Sequence, residues 1–389
     1  MWSPMRPVPS GTPRDRWLAR HGERCGRSRQ RPRHLPPRNL RPLERDGPVQ
    51  RPRRRRVRTT ADGERPVGGL ICAAVDVGAN SAHLLVGGVD GHRVAPLRDE
   101  SVLLGLGTTV DARGLIPPEV RGPLIATLAA YAAAARGLGA VRIAFVGTEP
   151  MRRAADARAV VVAVEDATGV PFHVVEDREE GLLTLLGATS GRVIDSDLLV
   201  VDVGGGSTQL VVVGRASRAR AIGLRLGGAR LTHALVAHDP PTPSEIAALR
   251  AAALAALQGG PDAAPTAIVA VGGTASNLVK VVPGVPGDRI LTPERLDAAF
   301  ETLCEAPAAD IAARFAIRPE RARILAAGAA ILEAILARYG LERATASEEG
   351  IREGTVLALA RAGSAWRDRL EPLAHGWGAN GAADRIRGR

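Results

Sequence analysis

Cysteine is scarce in this 389-residue chain, with Cys25, Cys72 and Cys304 its whole supply. None of them stands in a C-x-x-C pair, which excludes both a disulfide framework and a thiolate metal site and fits a reducing cytoplasm. Aromatic residues make up only 3%, and Lys280 is the single lysine, so arginine carries nearly all the positive charge. A bias that broad reflects genome composition more than chemistry. No uncharged apolar run reaches the 18 or so residues of a membrane span, and the arginines near the N-terminus precede no apolar leader segment. The expectation is a soluble, unexported, cytoplasmic protein with no membrane partner.

The formal charge of +11 suggests an anionic partner, yet it is unevenly placed. Residues 1–66 hold 19 basic and 6 acidic side chains, leaving 33 against 35 for the remainder, which is near neutral. Nucleic acid is therefore not the expected partner of the globular part. Residues 1–66 are rich in Arg and Pro, end in Arg53, Arg54, Arg55 and Arg56, and lack the aliphatic residues needed to offset ordering entropy, so they are expected to form a disordered tail. At 45% apolar content, the chain is long enough for two domains.

Within the globular part, strands and helices alternate, the mark of an α/β fold. ICAAVDV (71–77) is a short apolar run stopped by Gly78, as a buried strand should be. SAHLLVGGVDGHRVAPL reads as two strands joined at Asp90-Gly91. A helix opens at Pro117-Pro118 and stops at Gly137 and Gly139; VRIAFVG is the next buried strand, followed by a helix over 155–168, the strand FHVVE and a helix through EEGLLTLLGA. LLVVDVGGGSTQLVVVG (198–214) then repeats the opening theme of strand, acid, glycine turn, small hydroxyl residues and strand. Two copies of one unit, with Asp76 and Asp202 in equivalent places, predict a duplicated domain. Further helices are expected at 243–258, 293–305 and 318–339, with a frayed tail after about 363.

Three glycine turns carry the chemistry. In Asp76-Val-Gly78-Ala79-Asn80-Ser81 the glycine admits a ligand to the backbone, while consecutive N–H groups with the Asn80 and Ser81 side chains can surround a phosphate oxygen. Asp76 would repel that phosphate unless a cation lay between them. Asp202-Val-Gly204-Gly205-Gly206-Ser207-Thr208 is more specific, since three successive glycines make sense where amides must wrap a phosphate. Gly272-Gly273-Thr274 follows the strand AIVAV and opens a helix, whose N-terminal dipole favours an anion.

The motifs DVGANS, TEPMRRA, EDREEGLL, DVGGGSTQL, VGGTASNL, AAGAAIL and EEGIREG resemble, in order and spacing, those of the exopolyphosphatase and guanosine pentaphosphate phosphohydrolase family over about residues 70–362. The resemblance implies two duplicated actin/hexokinase-like (ribonuclease H-like) domains with an active-site cleft between them. It places one lobe over 67–178, closed by a helix at about 352–363, the second over 179–351, and a tail at 364–389. It further implies Mg2+, a homodimer, and stepwise release of terminal phosphate from polyphosphate or pentaphosphorylated guanosine. The family's general base falls on Glu180, where a carboxylate can orient and deprotonate a water. The family's phosphate-gripping arginine falls on Arg152, while Glu179 and Arg153 are expected to be bystanders. Asp76, Asp202 and Gln209 would face the metal. Gln209 departs from the glutamate that usually ends the second loop, and Leu182 departs from an arginine. An amide can still offer an oxygen to a cation but adds no charge.

Two other readings accompany the hydrolase. One is a phosphate-chain or alarmone binding protein silenced by Gln209. The other is a small-molecule kinase, since the fold class hosts many. Retention of Glu180, Asp76, Asp202 and Arg152 favours the hydrolase over the binding protein, and no acceptor-binding signature supports the kinase. Some relatives carry a further helical metal-dependent phosphohydrolase domain, and no His-Asp pair with metal-ligand spacing suggests one here.

Overall fold

The computed structural model describes residues 69–376 apart from 215–216, 283 and 285–286. The Arg/Pro-rich tail expected over 1–66 lies outside the described residues. All that follows belongs to the compact unit Arg55–Arg389. Among the described residues no helix is long and apolar enough to cross a membrane.

Two sheets carry the chain, and they are wired alike. In the first, β1 (Leu70–Val77) pairs antiparallel with β2 (Ser81–Asp90), which pairs with β3 (Arg93–Leu103). On its other side β1 runs parallel to β4 (Arg142–Gly147), and β4 to β5 (Phe172–Val174), giving the order β3-β2-β1-β4-β5. In the second sheet β6 (Leu198–Val203), β7 (Thr208–Val213), β8 (Arg220–Leu224), β9 (Ala267–Val271) and β11 (Ala344–Ala346) repeat that order as β8-β7-β6-β9-β11. The short β10 (Ile290–Leu291) adds an outer edge. The duplication expected from Asp76 and Asp202 is thus a duplication of the whole sheet.

The alternation along β1 explains why its sequence is apolar at nearly every position. Ala73, Val75 and Val77 face a core with Leu84, Leu128 and Phe145, under α2 (Pro118–Gly137) and α4 (Ala157–Thr168). Cys72 and Ala74 face the opposite way, into a core shared with Leu183, Val200 and Val356. A strand covered on both faces has no polar side to show. That second core holds α5 (Asp177–Thr189) and α13 (Ile351–Ala362) between the two sheets. These helices cross at glycines: a Cβ on Gly354 would lie 1.8 Å from the Leu183 carbonyl oxygen, and one on Gly187 would lie 1.9 Å from that of Gly350. Only residues without side chains let the backbones meet there. A third core, with Leu210, Ile268 and Ile335, lies beyond the second sheet under α7 (Pro243–Ala256), α9 (Pro293–Glu305) and α12 (Leu325–Tyr339).

Several expectations need correction. The helix expected over 318–339 is two, α11 (Pro319–Arg323) and α12, broken at Ile324. Three eight-residue helices were not anticipated: α1 (Leu106–Arg113), α6 (Gly228–Leu235) and α10 (Ala308–Phe315). They begin after Gly105, Gly227 and Pro307, without a capping side chain to announce them. Residues 364–376 are not a frayed tail. A helical turn at Gly363–Ala365 leads to α14 (Leu370–Ala374), with Trp366 and Leu370 buried and the Trp366 ring edge-on to His173 at 5.3 Å between centroids.

Candidate active site

The two acid-bearing loops are geometric copies. Asp76 stands opposite His83 across the β1–β2 ladder, and Asp202 stands opposite Gln209 across β6–β7. Each turn is closed by the same bond: Gly78 N–H donates to the Ser81 carbonyl at 3.1 Å, and Gly204 N–H to that of Ser207 at 2.9 Å. Ser81 Oγ is bonded to His83 Nε2 at 2.7 Å, and Gln209 Nε2 donates to Ser207 Oγ at 3.0 Å. The tips touch, with Gly205 against the Asn80 side chain and Gly206 against Ala79. Gly78, Asn80, Ser81, Gly204, Gly205, Gly206 and Ser207 are therefore gathered at one place, as the glycine pattern predicts.

The third turn joins them from α8 (Gly272–Val281). Gly272 has φ +82°, and a Cβ there would lie 2.5 Å from Asp202 Oδ1. Backbone conformation and the close carboxylate both demand glycine. Gly273 packs against the guanidinium of Arg321. Thr208 and Thr274 do not fit the phosphate-binding expectation. Thr208 Oγ1 donates to the Leu226 carbonyl at 2.6 Å and Thr274 Oγ1 to that of Val203 at 2.7 Å, and both side chains are buried. A hydroxyl has one proton, and here it is spent on pinning the loops.

Three carboxylates share the floor of the site. Burial pushes Asp76 up to about 6, against the opposing pull of the Arg352 and Arg321 guanidiniums. Burial, then the charge of Asp76, lifts Asp202 to about 7. Glu180 rises to about 8, chiefly by burial, although Arg152 pulls it down by charge and hydrogen bond. Glu180 sits in the first turn of α5, which is held by a capping box between Glu176 and Glu179. Glu179 itself is bonded to Arg367 and faces away from this chemistry.

Arg152 comes from the short helix α3 (Glu149–Arg153) at the end of β4. Its Nη1 donates to Glu180 Oε2 at 2.7 Å and to the Val175 carbonyl at 2.7 Å, and its Nη2 donates to Asp177. It thus fixes the glutamate expected to act as base. Arg153, expected to be a solvated bystander, is instead bonded to Glu149 at 2.7 Å and to Asp111. The reason is tertiary: α1 brings Asp111 to α3, and α1 was not legible in the sequence.

Arg321, on α11, was also missed. It is partly buried beside Gly273, donates to Ser81 Oγ at 3.3 Å and is bonded to His83 Nε2 at 3.1 Å, with burial lowering its pKa. No carboxylate lies within salt-bridge distance of it among the described residues, so its charge is directed at the loops. Nothing in its local sequence, Pro-Glu-Arg-Ala, separates it from a surface arginine.

The residues present fit a hard cation. Asp76 Oδ1 is buried and accepts no hydrogen bond from the described residues, which is costly unless a proton or cation meets it. Among the described residues no group of three or more His, Cys, Asp or Glu side chains could enclose a metal.

The comparisons with known proteins agree with this geometry. The chain is 29% identical over 306 residues to exopolyphosphatase 1 of Mycobacterium leprae, covering 73% of this chain and 87% of that protein. Exopolyphosphatase 2 of Mycobacterium tuberculosis is 28% identical over 322 residues, covering 74% of this chain and 98% of the relative. Among solved structures, the Ppx/GppA family member of Aquifex aeolicus superposes with a TM-score of 0.64 at 25% identity, covering 74% of this chain and 97% of that one. The sequence model of the Ppx/GppA phosphatase family matches residues 85–362. The chain belongs to the Ppx/GppA phosphatase family.

Proposed function

We propose that the protein hydrolyses the terminal phosphoanhydride of inorganic polyphosphate or guanosine pentaphosphate, with Glu180 as general base. The observation that carries this reading is a buried, arginine-anchored glutamate within the electrostatic reach of Asp76 and Asp202, the acids that open two glycine loops. Loop N–H groups with Asn80, Ser81 and Ser207 would cradle the terminal phosphate, and Arg321 would offset its charge. Asp76 and Asp202, with the Gln209 amide oxygen, would hold Mg2+, which when bound neutralises charge on the phosphate oxygens. Glu180 would take the proton from the attacking water, while Arg152 keeps its carboxylate aimed. A general base works best with its pKa near the working pH, where enough of it is ionised and it still holds the proton well, and burial moves Glu180 from the ordinary carboxylate range toward that point. The test is phosphate release by the purified protein with Mg2+ from each substrate; release from neither overturns the reading.

Gln209 bears on the second reading, a binding protein without turnover. It lies opposite Asp202 and is buried, so a glutamate there would add a charge next to the proposed metal acids. Gln209→Glu is expected to lower the Mg2+ concentration for half-maximal release and to raise turnover. A binding protein gives no release in the wild type at any Mg2+ concentration and release only in the variant. Identical Mg2+ titrations of the two proteins would exclude position 209 from the metal's surroundings.

A further inference from the structure

Glu149 is a buried carboxylate that the reaction as described does not use. Its side chain is 7% exposed. Oε1 accepts from Arg153 at 2.7 Å and from Arg230 Nη2 at 3.2 Å. Oε2 is buried, and among the described residues no donor reaches it. Yet it lies against the tip of the second glycine loop, 3.1 Å from where a Cβ on Gly206 would stand and next to Ala79 of the first loop. Arg230, on α6, is tied to the same loop, with Nε donating to the Gly206 carbonyl at 3.0 Å. Asp111 shares both guanidiniums, at 3.0 Å from Arg230 Nη1 and beside Arg153.

The arginines come from opposite sides. Arg153 belongs to the connection after β4 of the first sheet, and Arg230 to the helix after β8 of the second. Between them, at the rim of two loops shaped for phosphate, stands an anion belonging to the protein, half of it without hydrogen bonds. A carboxylate so incompletely satisfied is readily displaced by an anion with more oxygens, since guanidinium forks match phosphate at least as well as carboxylate.

We infer that Arg153 and Arg230 form a second anion subsite, taking an inner phosphate of a condensed phosphate chain, and that Glu149 is the internal anion which that phosphate displaces. This rests on the reading of the chain as acting on condensed phosphate. The subsite confers preference for substrates long enough to reach past the two loop tips. A terminal phosphate alone does not engage it.

Opposite signs make the test. Glu149→Gln and Arg230→Gln break the same ion pair, so a purely structural latch between the sheets predicts that both change affinity in the same direction or leave it alone. A displaced internal anion predicts that Glu149→Gln binds inorganic tripolyphosphate about tenfold tighter and Arg230→Gln about tenfold weaker, the scale of one like or unlike charge at close range. Calorimetric titration of the intact protein with tripolyphosphate measures both, and thermal melting verifies that each variant is folded. Weaker binding by Glu149→Gln, recovered at high Mg2+, would make Glu149 a cation ligand and overturn the inference. So would equal affinities in wild type and variants. Should Glu149→Gln fail to fold, Glu149→Asp, which keeps the charge but shortens its reach to both guanidiniums, replaces it and must bind tripolyphosphate tighter than the wild type while Arg230→Gln binds it weaker; weakening by both would overturn the inference. If the wild type neither binds tripolyphosphate nor releases phosphate from any chain, it is the proposed function that fails, and the two failures are distinguishable.

Discussion

Glu180→Gln is expected to lower kcat about 100-fold or more, the range typical of a lost general base, while substrate still binds. Glutamine keeps the size of the side chain, and its amide oxygen can still accept from Arg152 Nη1, which now meets Glu180 Oε2 at 2.7 Å. The substitution therefore removes the proton acceptor with little repacking of α5. Because Glu180 lies among the charges of Asp76 and Asp202, losing its own charge should also ease the approach of a polyanion, so KM is expected to stay level or fall. Steady-state phosphate release and calorimetric binding separate the two effects. Near-normal turnover would move the role of base to Asp76 or Asp202.

The second large effect is on stability against pH in the metal-free protein. Glu180, Asp202 and Asp76 have folded-state pKa values raised to about 8, 7 and 6, from ordinary values of 4.5, 3.8 and 3.8. Below about pH 4 these groups hold their protons whether the chain is folded or not, so their contribution is fully present. As pH rises toward 8, the unfolded chain gives up protons that the folded chain retains, and stability falls. With Mg2+ chelated, the melting temperature should therefore decline between pH 5 and pH 8. Asp202→Asn and Glu180→Gln should each flatten part of that decline, since an amide has no proton to lose. Excess Mg2+ should flatten it in the wild type, because a cation takes over what the protons did. A melting temperature that does not fall in chelator, or falls equally in both variants, would show that these acids are not strained by burial.

Asp76 and Asp202 were legible from sequence because each is covalently next to its evidence. A buried strand, an acid and a glycine turn follow one another within eight residues, and the same string returns later in the chain. Strand β1 was legible for a similar reason, since burial on both faces leaves a continuous apolar run. Helices α1, α6 and α10 were not, because eight residues behind a glycine or proline carry too few turns and no capping side chain to separate them from loop.

The role of Thr208 shows the limit of motif reasoning. A threonine after three glycines reads as a phosphate donor, but its strand position turns the hydroxyl to the Leu226 carbonyl. Arg153 shows the converse, a residue dismissed as solvated until α1 supplied Asp111 and the glycine loop supplied a neighbour for Glu149.

By itself, then, the sequence determined the duplicated α/β plan, the two acid-glycine loops and the third glycine turn, and it pointed to Glu180 and Arg152 through their motifs. Each of these is written in residues near one another along the chain, where local geometry dictates the pattern. Only the tertiary structure decided that Arg152 anchors Glu180, that Arg321 stands over Gly273, that Trp366 and α14 pack into the fold, and that Arg153, Arg230, Asp111 and Glu149 meet at the rim of the loops. Arg321 lies 240 residues from Ser81, and Arg230 lies 119 from Asp111. Contacts that distant arise from how two sheets pack about α5 and α13, and no local pattern of residues encodes that.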